Sequence, residues 1–245
     1  MFDSTFCLET EGSQLLNLSE DVYRKVCRTE FDQPGFCSIF LHQMIDSVAF
    51  RQLMVDLKES LSEIHLRKRG KGLGYLSAAR FDQQVTTKLH LDGGPPECFL
   101  MLGYEPSSVS SKVDIADYSR CAFDLGLTPE EFMQRHNPMF QSGYDLLRPY
   151  LTTIPCFSCA DYQIVCINHS FAPHSATEPK WQGTLHTAEI LTPDDSARRI
   201  INSTMIAPVE REMPPVVSDQ QIQDFIRTTA VHRRGHDKGY LVDDG

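Results

Sequence analysis

From Tyr75 onward the chain breaks into short runs of β-branched, aromatic and aliphatic residues, and this limits its fold more than any other feature. The runs occupy residues 75–81, 85–91, 98–104, 151–157, 162–168, 182–190 and 198–206. Val, Ile, Thr, Phe and Tyr suit a pleated, half-buried surface, and clusters of Gly, Pro, Asn and Asp punctuate the runs where the chain must turn. So many short strands in one block fold as a sandwich, a barrel or a jelly roll. The expected class is therefore mainly β with flanking helices, an α+β protein.

The segment before this block reads as helical support. Ser19-Glu20-Asp21 starts a helix through Val22, Tyr23 and Val26, with acidic side chains in the first turn, where they complement the helix dipole. Asp32-Gln33-Pro34-Gly35 is a turn signal, and Phe36-Cys37-Ser38-Ile39-Phe40-Leu41 is a short apolar strand. A long amphipathic helix follows from Asp46, with Val48, Leu53, Val55, Leu57, Leu61 and Ile64 near helical spacing. The basic run from Arg67 to Gly74 ends it. That run lacks the strand–glycine–helix order of a phosphate loop and reads as a solvated helix end.

Within the strand block, Thr128-Pro129-Glu130-Glu131 has an N-cap, a proline at the first helical position and two first-turn carboxylates. It places a helical insertion over residues 112–148. A last helix starts near Ser218 and runs through Ile222, Phe225 and Ile226. No linker divides the chain, so the expectation is a single domain over 1–245. It comprises helical support over 1–74, a β core over 75–206, and a closing helix and tail over 207–245.

The 245 residues suffice for one large core, and 41% hydrophobic with 23% charged residues is ordinary globular composition. A formal net charge of -10 repels phosphate backbones and argues against nucleic acid as a partner. No apolar run approaches the roughly 18 residues of a membrane span. The opening Met1-Phe2-Asp3-Ser4-Thr5-Phe6-Cys7 has neither the basic nor the apolar region of a secretory signal. The eight cysteines are too scattered for a disulfide framework, which points to reduced thiols in a cytoplasm. Cys156-Phe157-Ser158-Cys159 is formally a CxxC, but it has no second ligand pair.

The segment that carries chemistry is Thr86-Thr87-Lys88-Leu89-His90-Leu91-Asp92-Gly93-Gly94. Residues two apart on a strand share a face, so His90 and Asp92 project together and can take adjacent positions on one metal. HxD alone is also satisfied by a half-exposed histidine bonded to its neighbour. A second strand-like run, Trp181-Gln182-Gly183-Thr184-Leu185-His186, supplies another histidine. The next strand opens with Arg198-Arg199. A guanidinium one strand away from a metal ligand offers a planar fork to a carboxylate. His174 competes for the third ligand position but lies in a Pro/Ser/Thr-rich stretch. His169, at a strand end, reads as a surface residue or a pocket wall. His42, His65, His136, His232 and His236 have no partner at ligand spacing.

In order, spacing and strand context, His90, Asp92, His186 and the arginine pair resemble the Fe(II)/2-oxoglutarate-dependent oxygenases, loosely the phytanoyl-CoA-hydroxylase-like enzymes. The resemblance spans residues 75–206. It implies a double-stranded β-helix, a cupin-like jelly roll, with His90, Asp92 and His186 as iron ligands. Arg198 first, and Arg199 second, would bind the distal carboxylate of 2-oxoglutarate. It further implies O2 as oxidant and hydroxylation or a related oxidation of a small molecule, since halogenases of the family lack the carboxylate. Tyr104, Phe132, Phe140 and Trp181 are then candidates for substrate contact, with core packing as their other reading. A zinc hydrolase and a non-catalytic cupin-type binding protein remain open beside it.

Overall fold

The computed structural model describes residues 6–42, 45–154, 160–210 and 212–234. Cys156, Cys159 and His236 lie outside the described residues. The strands are β1 (Cys7–Thr10), β2 (Phe36–Leu41), β3 (Gly72–Gln83), β4 (Phe99–Tyr104), β5 (Ser110–Ala116), β6 (Leu151–Ile154), β7 (Tyr162–Asn168), β8 (Leu185–His186), β9 (Glu189–Thr192), β10 (Ile200–Val209) and β11 (His232–Arg234). The helices are α1 (Ser19–Val26), α2 (Ser47–Arg69), α3 (Tyr118–Asp124), α4 (Pro129–Arg135), α5 (Gln141–Leu147) and α6 (Asp219–Arg227).

Two sheets carry the fold. The larger runs β1-β2-β7-β4-β10-β3-β11, and the smaller runs β6-β5-β8, with β9 also pairing β5. Strand alternation assigns the layers. On β4, Phe99 and Met101 face a core shared with Phe50, Met54 and Leu57 of α2 and with Val22 of α1. Leu100, Leu102 and Tyr104 face the other way, toward Val113, Ile115 and Ile154 of the smaller sheet. β7 repeats the pattern, with Ile164 and Cys166 toward the helices and Val165 and Ile167 between the sheets. A third cluster, with Leu89, Tyr118, Phe132, Leu147 and Leu185, lies beneath α3, α4 and α5 on the outside of the smaller sheet. The result is an α+β protein with helices on both outer faces of a two-sheet core. No helix among the described residues is long and apolar enough to cross a membrane.

The long helix begins where expected. Asp46 caps it by accepting the Ala49 N–H at 2.7 Å, and Gly70 ends it at φ 75°. The Thr128 and Ser218 starts both form reciprocal capping boxes. Other expectations need correction. Residues 85–91 form no named strand. The Thr86 and Thr87 hydroxyls accept the N–H groups of Ile190 and Ala188 at 3.0 and 2.9 Å, so side chains replace part of a strand ladder. The insertion over 112–148 is helical only from Tyr118. Its start belongs to β5, where inward Val113 and Ile115 alternate with Lys112 and Asp114. The strand expected from Arg198 starts at Ile200. Phe132 and Trp181 are buried core residues, and Phe140 is exposed.

A buried ion pair ties the layers together. The fully buried Arg28 guanidinium, just past α1, binds both carboxylate oxygens of Asp117 at the start of α3. It also donates to the Gln33 carbonyl at 2.6 Å and the Gln182 carbonyl at 3.0 Å. One side chain thereby joins α1, the turn before β2, the start of the insertion and the approach to β8. Removing one partner of such a pair leaves an uncompensated buried charge. Arg28→Met should therefore cost about 3–5 kcal/mol in urea unfolding, and a loss under about 1 kcal/mol would contradict this role.

A neutral histidine sits in the helix-side core. His65 on α2 shares a 2.8 Å hydrogen bond with the Tyr23 hydroxyl and meets Trp181 edge-on at 5.2 Å. Burial, then Arg69 and Lys71, push its pKa down to about 4. In the unfolded chain a histidine titrates near 6.5. The contribution of neutral His65 is thus complete above about pH 6.5 and is lost as the pH falls toward 4. Urea midpoints measured between pH 7 and 5 should fall with acidification, and His65→Gln should flatten that slope. An unchanged slope in the variant would refute the assignment.

Candidate metal centre

The two halves of the site meet through the backbone. His90 N–H donates to the His186 carbonyl at 3.2 Å, and His186 N–H donates back to the His90 carbonyl at 3.4 Å. Leu89 and Leu185 anchor the two segments in the cluster beneath the insertion, so the next residue of each, His90 and His186, turns toward the space between the sheets. Gly93 and Gly94, at φ 80° and 135°, turn the chain away directly after Asp92. Gly183 allows the His186 segment to run against the 168–170 backbone, because any Cβ there would overlap the Ser170 carbonyl oxygen.

The three expected ligands converge. His90 Nε2 lies 3.2 Å from Asp92 Oδ1, and His186 Nε2 lies 3.9 Å from Asp92 Oδ2. The two imidazoles are 4.5 Å apart at their centroids, and one ligand atom from each residue falls within 4.8 Å of the others. Among the described residues this is the group of His, Cys, Asp and Glu side chains close enough to hold a metal ion.

The donor set also fits in its protonation. The Lys88 carbonyl sits 2.7 Å from His90 Nδ1. A carbonyl only accepts, so Nδ1 carries a hydrogen and Nε2 is the atom that faces the Asp92 carboxylate. At 3.2 Å those two atoms share a cation, a proton or a metal. Burial opposes charge on His90, but its hydrogen bonds to Asp92 and Lys88 outweigh burial and raise its pKa. Burial would raise Asp92 as well, yet the His90 hydrogen bond holds its carboxyl well below the usual carboxylate range. His186 goes the other way, with burial and the neighbouring His169 and His90 pushing it down to about 3. Asp92 and His186 are therefore held as carboxylate and neutral imidazole, the forms in which they ligate, while a metal would have to displace the proton that the Asp92 bond favours on His90.

The cluster lies at one wall of a small pocket of about 80 Å³ whose other walls include Phe81, Gln83, Leu102, Tyr104 and Ile201. The two arginines separate here. Arg198 is exposed and lines a different, polar cavity with Asp82 and Asp195. Arg199 is 2% exposed, donates to Ser111 Oγ at 2.9 Å and the Gln83 carbonyl at 3.2 Å, and hydrogen-bonds Tyr104. Its guanidinium lies 5.1 Å from the centre of the Tyr104 ring, so it stands behind that pocket wall.

His174 is remote from the ligands and pairs with Glu30 at 2.9 Å. His169, expected mainly at the surface, is instead buried against the cluster: its Nε2 accepts the Asp92 N–H and its ring meets His186 edge-on at 5.4 Å. Its place directly after β7 was the only sequence signal for it. No known protein-family model matches this chain, and no curated protein matches it.

Divalent cobalt or zinc should bind the wild-type protein one to one in a dialysis titration. Replacing a ligand should weaken binding more than the roughly 10–100-fold typical of changes to supporting residues, so His186→Ala should lose at least about a hundredfold. Wild-type affinity in that variant would remove His186 from the site.

Proposed function

We propose that this protein is an Fe(II)- and 2-oxoglutarate-dependent dioxygenase that hydroxylates or otherwise oxidises a C–H bond of a small molecule. The observation that carries the reading is the convergence of His90, Asp92 and His186 at a pocket whose wall is Tyr104 backed by Arg199. Strand order supports it. The run β7-β4-β10-β3 lies opposite β6-β5-β8, with the His90 segment bridged to β8. That is the winding expected of a double-stranded β-helix, and we read the two-sheet core as this jelly roll, in one domain, working in the cytoplasm.

Iron bound here would couple the oxidative decarboxylation of 2-oxoglutarate, to succinate and CO2, with O2-dependent oxidation of substrate. A two-histidine, one-carboxylate face leaves positions open for co-substrate and oxidant. The chain's own residues prepare that chemistry. Asp92 stays ionised and His186 neutral, so neither loses a proton on ligation. Its carboxylate fills the place a halide would need, which favours oxidation over halogenation. Phe81, Leu102 and Ile201 give the pocket an apolar wall that excludes water. The Tyr104 hydroxyl, with the Arg199 charge behind it, receives the distal carboxylate of 2-oxoglutarate. The role first expected of Arg198 thus passes to Arg199.

With Fe(II), ascorbate and air, the wild type should turn 2-oxoglutarate into succinate without added substrate. Arg199→Gln should raise the KM for 2-oxoglutarate at least about tenfold, because the charge behind the Tyr104 hydroxyl is removed, whereas Arg198→Gln should leave it unchanged. Absence of succinate from the wild type would refute the oxygenase reading in favour of a zinc hydrolase or a binding protein. The reverse pattern in the arginines would refute the assignment of Arg199.

A further inference from the structure

His169 has no part in the ligand set, yet it touches two of its members. It is 1% exposed and fixed by its own backbone, whose N–H donates to the Cys98 carbonyl at 2.9 Å. Its Nε2 accepts the Asp92 N–H, and its ring packs edge-on against His186 at an interplanar angle of 61°. Because Nε2 is an acceptor, the ring hydrogen sits on Nδ1. That atom is buried and has no hydrogen-bond partner among the described residues. An unpartnered buried N–H costs stability, and an aliphatic side chain of similar size would avoid the cost. The return for it is the acceptor at Asp92.

That acceptor lies at a vulnerable place. Asp92 immediately precedes Gly93 and Gly94, where no Cβ restricts the backbone, and its side chain is 37% exposed. His90 and His186 are held by their reciprocal backbone hydrogen bonds, but Asp92 has no such partner strand among the described residues. We propose that His169 is a positioning residue of the metal centre. Through the Asp92 amide it fixes the carboxylate, and through ring contact it fixes the orientation of His186. This rests on the metal-binding reading given above.

The test uses cobalt(II), which reports both affinity and ligand geometry through its visible spectrum. In His169→Leu the acceptor is gone, whereas in His169→Gln the amide oxygen reaches about as far as Nε2 and keeps it. His169→Leu should lose about 10–100-fold in Co(II) affinity and change the band pattern, while thermal unfolding of the metal-free protein stays level or rises. His169→Gln should recover affinity and spectrum. Wild-type affinity and spectrum in His169→Leu would overturn the positioning role and leave the metal centre standing. Equal losses in both variants, matched by equal losses of thermal stability, would also overturn it. A wild type that binds no Co(II) would overturn the metal centre and this role with it.

Discussion

The reciprocal hydrogen bonds between the His90 and His186 peptides are the contact on which the site depends. They join two segments far apart in sequence and set both imidazoles on the same side of the smaller sheet. Side chains alone would not hold this register. β8 is two residues long, and the 85–91 run relies on threonine hydroxyls for part of its pairing. The register is imposed from outside, by β5 pairing with β8, by Leu89 and Leu185 in the cluster beneath the insertion, and by Gly183 against Ser170. Arg28 holds that same approach through the Gln182 carbonyl while binding Asp117 at the start of the insertion. A candidate metal site of three side chains is thus supported by a much larger set of backbone constraints.

Electrostatics then sharpens what geometry assembles. Burial alone would neutralise every ionisable group here, and it does keep His186 and His169 uncharged. Asp92 escapes because His90 faces it at 3.2 Å with a nitrogen whose partner across the ring is committed to the Lys88 carbonyl. The site thus holds an ionised carboxylate facing two imidazoles, a set that suits a cation. Arg199 sets its charge behind Tyr104, which lines the same pocket. The proposed co-substrate, a small dianion with one end for the metal and one for this wall, would complement that polarity.

Locally encoded features were legible from the chain. α2 follows from its apolar spacing and from Asp46 and Gly70 at its ends, and β2 and β7 from compact apolar runs bounded by turns. What depended on partners was not. β1 and β11 are short edge strands that exist through parallel pairing with β2 and β3. β5 was absorbed into the expected insertion because its polar outer residues, Lys112 and Asp114, mask the inward Val113 and Ile115. The convergence of His90, Asp92 and His186 was readable as a set of residue types, but which arginine lies behind the pocket turned on strand parity. Arg199 shares a face with Ile201 and Ser203, which line the pocket, while adjacent Ile200 is also buried and hides that parity. His169 was misread because nothing near it in sequence marks it as buried against Asp92.

The central claim is that one pocket holds iron through His90, Asp92 and His186 and 2-oxoglutarate through Tyr104 and Arg199. Anaerobic addition of 2-oxoglutarate to the Fe(II)-loaded protein, followed by visible absorption, tests both halves at once. The account predicts a metal-to-ligand charge-transfer band in the wild type that is lost in His186→Ala. Fe(II) that binds without producing the band, or a band that survives in His186→Ala, would contradict it.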